Sequence, residues 1–135
     1  MKHRTNHILF YAVAAVLVGV GIHLTQEFRF YNIAANELFI YDGAEIAGIL
    51  AETGGFATLV ASFLSQFFCL PMAGTVILST LYILVAWLAW ALLSKMNGRP
   101  VFRGAAFLPL VFLYLCLEND YYRFQGHVAF ALVLT

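Results

Sequence analysis

The sequence predicts an all-α protein: polytopic transmembrane helices, with an external loop that carries one or two interfacial helices. Composition is the first observation behind this. Of 135 residues, 63% are apolar and only 10% charged, against roughly 25% charged in ordinary soluble domains. The second is that the charges are sorted along the chain. Glu27, Glu37, Asp42, Glu45, Glu52, Glu118 and Asp120 fall in two blocks, while Lys2 with Arg4, and Lys95 with Arg99 and Arg103, form two others. A soluble surface mixes its signs. A chain threaded through a bilayer separates them and keeps its Lys/Arg loops cytoplasmic. The formal net charge of +0 therefore conceals two opposite surfaces. Short, scattered basic loops make no phosphate-tracking patch, which argues against nucleic acid as a partner.

The first crossing is expected at about 7–25, long enough to traverse the hydrocarbon at 1.5 Å per residue. The basic start followed by an apolar run also describes a signal peptide. The run is long, and Gly21-Ile22-His23-Leu24-Thr25 offers no small-residue cleavage site, so it reads as an uncleaved anchor. Ala15 and Gly19 share a face on which another helix can approach closely. An acidic external segment, 26–53, follows. Within it Asp42-Gly43-Ala44-Glu45 reads as a capping box opening a short helix over about 43–53, and Gly54-Gly55 ends it.

The stretch 53–94 carries no charge and is nominally long enough for two spans. Topology decides against two, because an acidic segment precedes it and a basic block follows, so the number of crossings is odd. Residues 56–70 place Thr58, Ala61, Ser62, Ser65 and Gln66 on one helical stripe, with large apolar residues elsewhere. This predicts an interfacial helix. The true second crossing then starts at Pro71, which suits a first helical position, and runs over about 71–93 with Trp87 and Trp90 at headgroup level. Asn97-Gly98 and Pro100 mark a turn. A third crossing follows at about 101–118, with Arg103 snorkelling at its base and Pro109 as a kink point. A fourth apolar run, about 126–135, is half a crossing. The expectation is a single membrane domain over 1–135 that forms the N-terminal fragment of a longer protein. Its partners are then the lipid bilayer and the remaining helices of that parent or a partner membrane protein. In this reading no span carries a buried ionisable residue of the kind a proton relay needs.

Familiar catalytic motifs are absent: there is no phosphate-binding glycine loop, no H-E-x-x-H, no Cys/His zinc pattern and no nucleophile elbow. No cofactor is expected, and whether the protein is an enzyme stays open. The candidates for chemistry are carboxylates on the external segments. Glu118 and Asp120 stand at the mouth of the third crossing and offer oxygen ligands for a divalent cation. Glu37, Asp42 and Glu45 face them from the first loop as candidate catalytic acids. Solvated loop charges are the competing reading. Gln66, the most polar side chain of the uncharged stretch, is a candidate lipid or substrate contact or else an interhelical hydrogen bond. Arg123, beside Tyr121 and Tyr122, is a candidate for a lipid phosphate or for simple headgroup anchoring. Cys69 and Cys116 have no metal spacing and read as small apolar residues.

Asn36-Glu37-Leu38-Phe39, the segment from Gly54-Gly55 to Pro71 with Ser65-Gln66-Phe67-Phe68, and Asp120-Tyr121-Tyr122 resemble an uncharacterised family of multi-span bacterial inner-membrane proteins, a domain of unknown function. The resemblance implies an inner-membrane location, a longer parent chain and no assigned activity, while the basic residues at the start of the chain place the N-terminus on the cytoplasmic side. The layout also resembles the start of membrane glycosyltransferases that use lipid-linked sugars. That likeness implies a divalent cation held by Glu118 and Asp120 and an acid from the first loop acting on the acceptor. It is architectural, since the first loop lacks a clear acidic pair.

Overall fold

The computed structural model describes residues 2–36, 39, 41–70, 72–97, 103–117 and 123–135, and within these all side chains but those of 2–8, 27, 36, 96, 97 and 103. Among the described residues the α-helices are α1 Lys2–Asn36, α2 Gly43–Ala51, α3 Gly55–Ser65, α4 Ala73–Asn97, α5 Leu108–Leu117 and α6 Phe124–Val133. A 3-10 turn, Gln66–Cys69, leads out of α3, and another, Arg103–Phe107, leads into α5. The chain is all-helical, as composition and patterning imply. Two stretches, Leu9–Gln26 and Ala73–Lys95, are long and apolar enough to cross a membrane, while Gly55–Cys69, Gly104–Leu117 and Phe124–Val133 are apolar but shorter.

Several boundaries differ from the sequence reading for identifiable reasons. Helix α1 continues past Thr25 to Asn36. Nothing between those residues breaks a helix, and charge ends a hydrophobic stretch without ending a helix. Its far end is packed, with Gln26 and Phe30 buried one turn apart. Helix α4 starts at Ala73, after Met72 at φ 64°, two residues beyond the expected proline; Pro71 itself lies outside the described residues. The stretch expected as one third crossing is a 3-10 turn followed by a ten-residue helix. Pro109 sits in the first turn of α5, where an amide has no intrahelical partner to lose, and so marks the change of helix type.

Helices α1 and α4 pack antiparallel along their length. Gly19 lies against Ser79 and Thr75, with a Cβ position 3.7 Å from Ser79, and Gly74 lies beneath the Phe30 ring. Ile22, Gln26 and Phe30 recur every four residues on the buried face of α1, and Leu78, Tyr82, Val85, Ala86 and Ala89 are among the buried residues of α4. The Ala15–Gly19 face expected to allow close approach thus does so at Gly19. Helix α3 turns its small residues inward: Gly55, Ala57, Ala61, Ser62 and Ser65 are buried. Gly55 meets Ile49 of α2, and α3 also packs on α6, which buries Phe124, His127, Val128 and Ala131. The stripe of small and polar residues is therefore a helix-packing face, and Phe56, Phe63 and Phe67 are exposed on the other side. Small residues at the contact let the two helix backbones approach closely.

Helices α2 and α3 form a tight hairpin. Asp42 caps α2 by accepting from the Ala44 amide at 3.4 Å, Gly54 turns the chain at φ 81°, and the Gly55 amide donates to the Glu52 carbonyl at 2.9 Å. A Cβ on Gly55 would fall 1.8 Å from the Ile49 carbonyl oxygen, a backbone atom that cannot swing aside. Gly55→Ala is therefore expected to destabilise the protein by about 3 kcal/mol or more, as overpacking against a rigid wall does. Gly21→Ala, with nothing within 4 Å of the new methyl, is expected to be neutral or to stabilise by up to about 1 kcal/mol through helix propensity. Denaturant titration of the purified variants in detergent checks both; a Gly55→Ala midpoint equal to the parent's would contradict the packing.

Candidate functional site

Two buried polar side chains, Tyr82 and His127, meet where α4, α5 and α6 come together. His127 is fully buried, and its Nε2 lies 3.0 Å from the Leu113 carbonyl oxygen. That carbonyl only accepts, so Nε2 carries the hydrogen. Tyr82, also fully buried, donates its hydroxyl to the same oxygen at 3.3 Å. Both side chains meet this oxygen beside its bond within the helix, so one carbonyl of α5 receives a side chain from α4 and another from α6. The imidazole is stacked between rings: Tyr82 at 5.8 Å and 21°, Phe124 at 6.2 Å and 28°. The ladder continues from Phe124 to Phe68 at 5.0 Å and from Phe68 to Phe30 at 5.3 Å, both edge-on. It thereby runs from α4 through α6 and the 3-10 turn to α1.

Two further contacts tie α1 to α5. Thr25 Oγ1 donates to the Gly21 carbonyl at 2.8 Å and shares a 2.7 Å hydrogen bond with the Tyr114 hydroxyl. Arg29 donates to the carbonyl of Leu117, the last residue of α5. A cation at a helix C-terminus satisfies an orphan carbonyl and complements the helix dipole. Gln26 and Thr75, both more than nine-tenths buried, contribute an Oε1 and an Oγ1 without hydrogen-bond partners on the α1 and α4 sides.

The residues singled out from the sequence are dispersed. Asp42 is exposed and occupied as the α2 cap, and Glu45 is exposed in the first turn of that helix. Glu37, Glu118 and Asp120 lie outside the described residues. Gln66 is half-buried and accepts from the Tyr41 hydroxyl at 3.1 Å, so its partner is the segment before α2. Arg123 is exposed at the N-cap of α6. Among the described residues no three His, Cys, Asp or Glu side chains converge as a metal site would require. Cys69 and Cys116 are free thiols, the first exposed and the second half-buried.

The sequence reading missed His127 and Tyr82. It left the apolar runs without a buried ionisable group; the structure corrects this, because His127 belongs to α6 and faces inward. The available signal was a lone histidine beside Gly126 in an otherwise apolar run.

These features define a class: an all-helical chain with polar links between helices in its interior and many further large apolar side chains exposed. The chain matches the family of unknown function DUF6057 over residues 2–135 and belongs to that family. No curated protein and no solved structure matches it.

If the Leu113 carbonyl joins three helices, its two donors contribute separately. His127→Phe, which keeps a stacked ring and removes the donor, is expected to destabilise by about 1 kcal/mol, as is Tyr82→Phe. His127→Ala also opens a cavity between two rings and is expected to lose about 3 kcal/mol. Unfolding titrations of the single and double variants check this; a His127→Phe variant as stable as the parent would show that the shared carbonyl contributes nothing.

Proposed function

We propose that this chain is an integral membrane module of the bacterial inner membrane, with a cytoplasmic N-terminus, whose helices form a scaffold for the rest of a longer parent protein. The observation that carries the reading is the exposure of its apolar helices. Only 17% of the Leu9–Gln26 stretch and 28% of Ala73–Lys95 is buried, whereas the core helix of a soluble domain is mostly buried. Leu9, Val13, Val16, Leu17, Val20 and Leu24 form a continuous exposed stripe along α1. Water does not tolerate so long a patch without a partner, and lipid is the solvent that suits it.

Charge supports the same reading. Antiparallel packing of α1 on α4 puts Lys2 and Arg4, which open α1, at the same end of the pair as Lys95. Asp42, Glu45 and Glu52 belong to the opposite end, beyond α1 and before α3. Basic residues on the cytoplasmic face are the usual determinant of orientation. The side chains of the buried junction are engaged in holding helices together, which fits a scaffold with no assigned chemistry.

Cysteine accessibility tests the orientation. In a Cys69→Ser, Cys116→Ser background, Asp42→Cys is expected to react with a membrane-impermeant maleimide on intact cells. Asn97→Cys is expected to react only after permeabilisation. Equal labelling of both in intact cells would overturn the arrangement, and release of the chain by alkaline carbonate would overturn membrane integration itself.

A further inference from the structure

We propose that the groove at the outer end of the apolar stretch of α1, beside the Arg29 guanidinium, binds the headgroup of one zwitterionic phospholipid. The inference rests on the membrane reading and adds a defined lipid site to it. The groove has a volume of about 460 Å³ and is lined by His23, Leu24, Thr25, Phe28 and Tyr31. Small-molecule sites measure roughly 300–1,000 Å³ and set a few polar groups among apolar ones. This groove does the same, with an imidazole and two hydroxyls beside Leu24 and the Phe28 ring. Its height selects a headgroup. The apolar stretch ends at Gln26, so Phe28 and Tyr31 stand about 3 and 7.5 Å beyond that end along the helix axis. Headgroups fill a layer roughly 5–7.5 Å deep on each side of the hydrocarbon. Leu24 lies on the hydrocarbon side of that boundary and continues the exposed stripe of Leu17 and Val20, a track for the acyl chains below the headgroup.

Charge is the second argument. The Arg29 guanidinium carbon lies 5.6 Å from the centre of the Phe28 ring, one wall of the groove. Its bond to the Leu117 carbonyl anchors it there. A guanidinium held in place is a strong partner for phosphate, because its planar fork loses little freedom on binding. The exposed Tyr31 side chain brings a neutral hydroxyl donor to the same level. Thr25 has a different part. Its hydroxyl donates to the Gly21 carbonyl and meets the Tyr114 hydroxyl, which braces this side of the groove against α5. Helical register puts Glu27 three residues after Leu24 and four before Tyr31, hence on the same stripe. An acidic residue and a basic one two positions apart favour a headgroup that carries both phosphate and ammonium over one that carries phosphate alone.

The test is native mass spectrometry of the full chain released from nanodiscs of equal parts phosphatidylethanolamine and phosphatidylglycerol. One phosphatidylethanolamine per chain is expected to stay bound, at least fivefold more often than phosphatidylglycerol. Tyr31→Phe and Phe28→Ala alter exposed side chains and are each expected to lower that retention at least threefold, with the helical circular dichroism unchanged. Arg29→Gln is expected to lower it further, whereas Arg29→Lys, which keeps the charge, retains at least half. Because Arg29→Gln also releases the Leu117 carbonyl, Tyr31→Phe decides the matter if that variant fails to fold. Equal retention of the two lipids, preference for phosphatidylglycerol, or undiminished retention in Tyr31→Phe and Phe28→Ala overturns the site and leaves membrane integration intact. Failure of the chain to enter nanodiscs overturns the membrane reading as well. Release of a lipid-free dimer overturns the proposal in favour of a second copy of the chain on this face.

Discussion

The Leu113 carbonyl oxygen is the point on which the packing of the shorter helices depends. Tyr82 of α4 and His127 of α6 both donate to it. Neither α5 nor α6 reaches the length of a free-standing span, so each needs a directional contact to fix its place. If the chain lies in a bilayer, as proposed, apolar burial alone does not supply one, because a Leu surface against lipid and a Leu surface against another helix are nearly equivalent. A hydrogen bond into a dry interior does discriminate, because its loss strands a polar atom. The stacked rings of Tyr82, His127, Phe124, Phe68 and Phe30 add contact area along the same line and carry the register outward to α1.

Around that point the chain uses two kinds of helix contact. Where backbones must come close, a small residue stands: Gly19 against Ser79, Gly74 beneath Phe30, Gly55 against Ile49, and Ala57, Ala61 and Ser62 on the α3 face turned to α6. Where α5 ends, a side chain meets the loose backbone group, as Arg29 does at Leu117, and at the exposed start of α2 Asp42 does the same at Ala44. Both devices follow from one constraint. On the membrane reading, every backbone polar group in the apolar layer has to be paired within the protein.

Much of this was readable before any coordinates, and what was not has physical causes. The helical class, the Asp42 cap and the stripe through Ala61, Ser62 and Ser65 all follow from local pattern, which depends on neighbours three or four residues away. What the stripe packs against does not, because α6 is distant in sequence and only three dimensions bring it near. The continuation of α1 to Asn36 is hidden in the sequence because Glu27 and Arg29 end an apolar stretch without ending a helix. His127 was hidden because its partners, Tyr82 and the Leu113 carbonyl, lie on other helices and one of them is backbone. Of the acidic candidates, Asp42 and Glu45 turned out to be exposed on α2, and Glu37, Glu118 and Asp120 are outside the described residues.

The 35 residues of α1 measure about 52 Å as a continuous helix, against a hydrocarbon layer of about 30 Å. Some 20 Å of stiff rod is left over. If residues 9–26 lie in that layer, the ten residues 27–36 stand about 15 Å clear of it without a joint. Such a rod converts bilayer mechanics into displacement. A tilt of about 20°, common for helices whose length exceeds the layer, carries the outer tip sideways by roughly 5 Å. Arg29 rides on this lever and holds the end of α5, so α5 has to follow. Thinning or tension of the membrane would then be felt at the external surface as a shear between α1 and its neighbours, with no ligand involved.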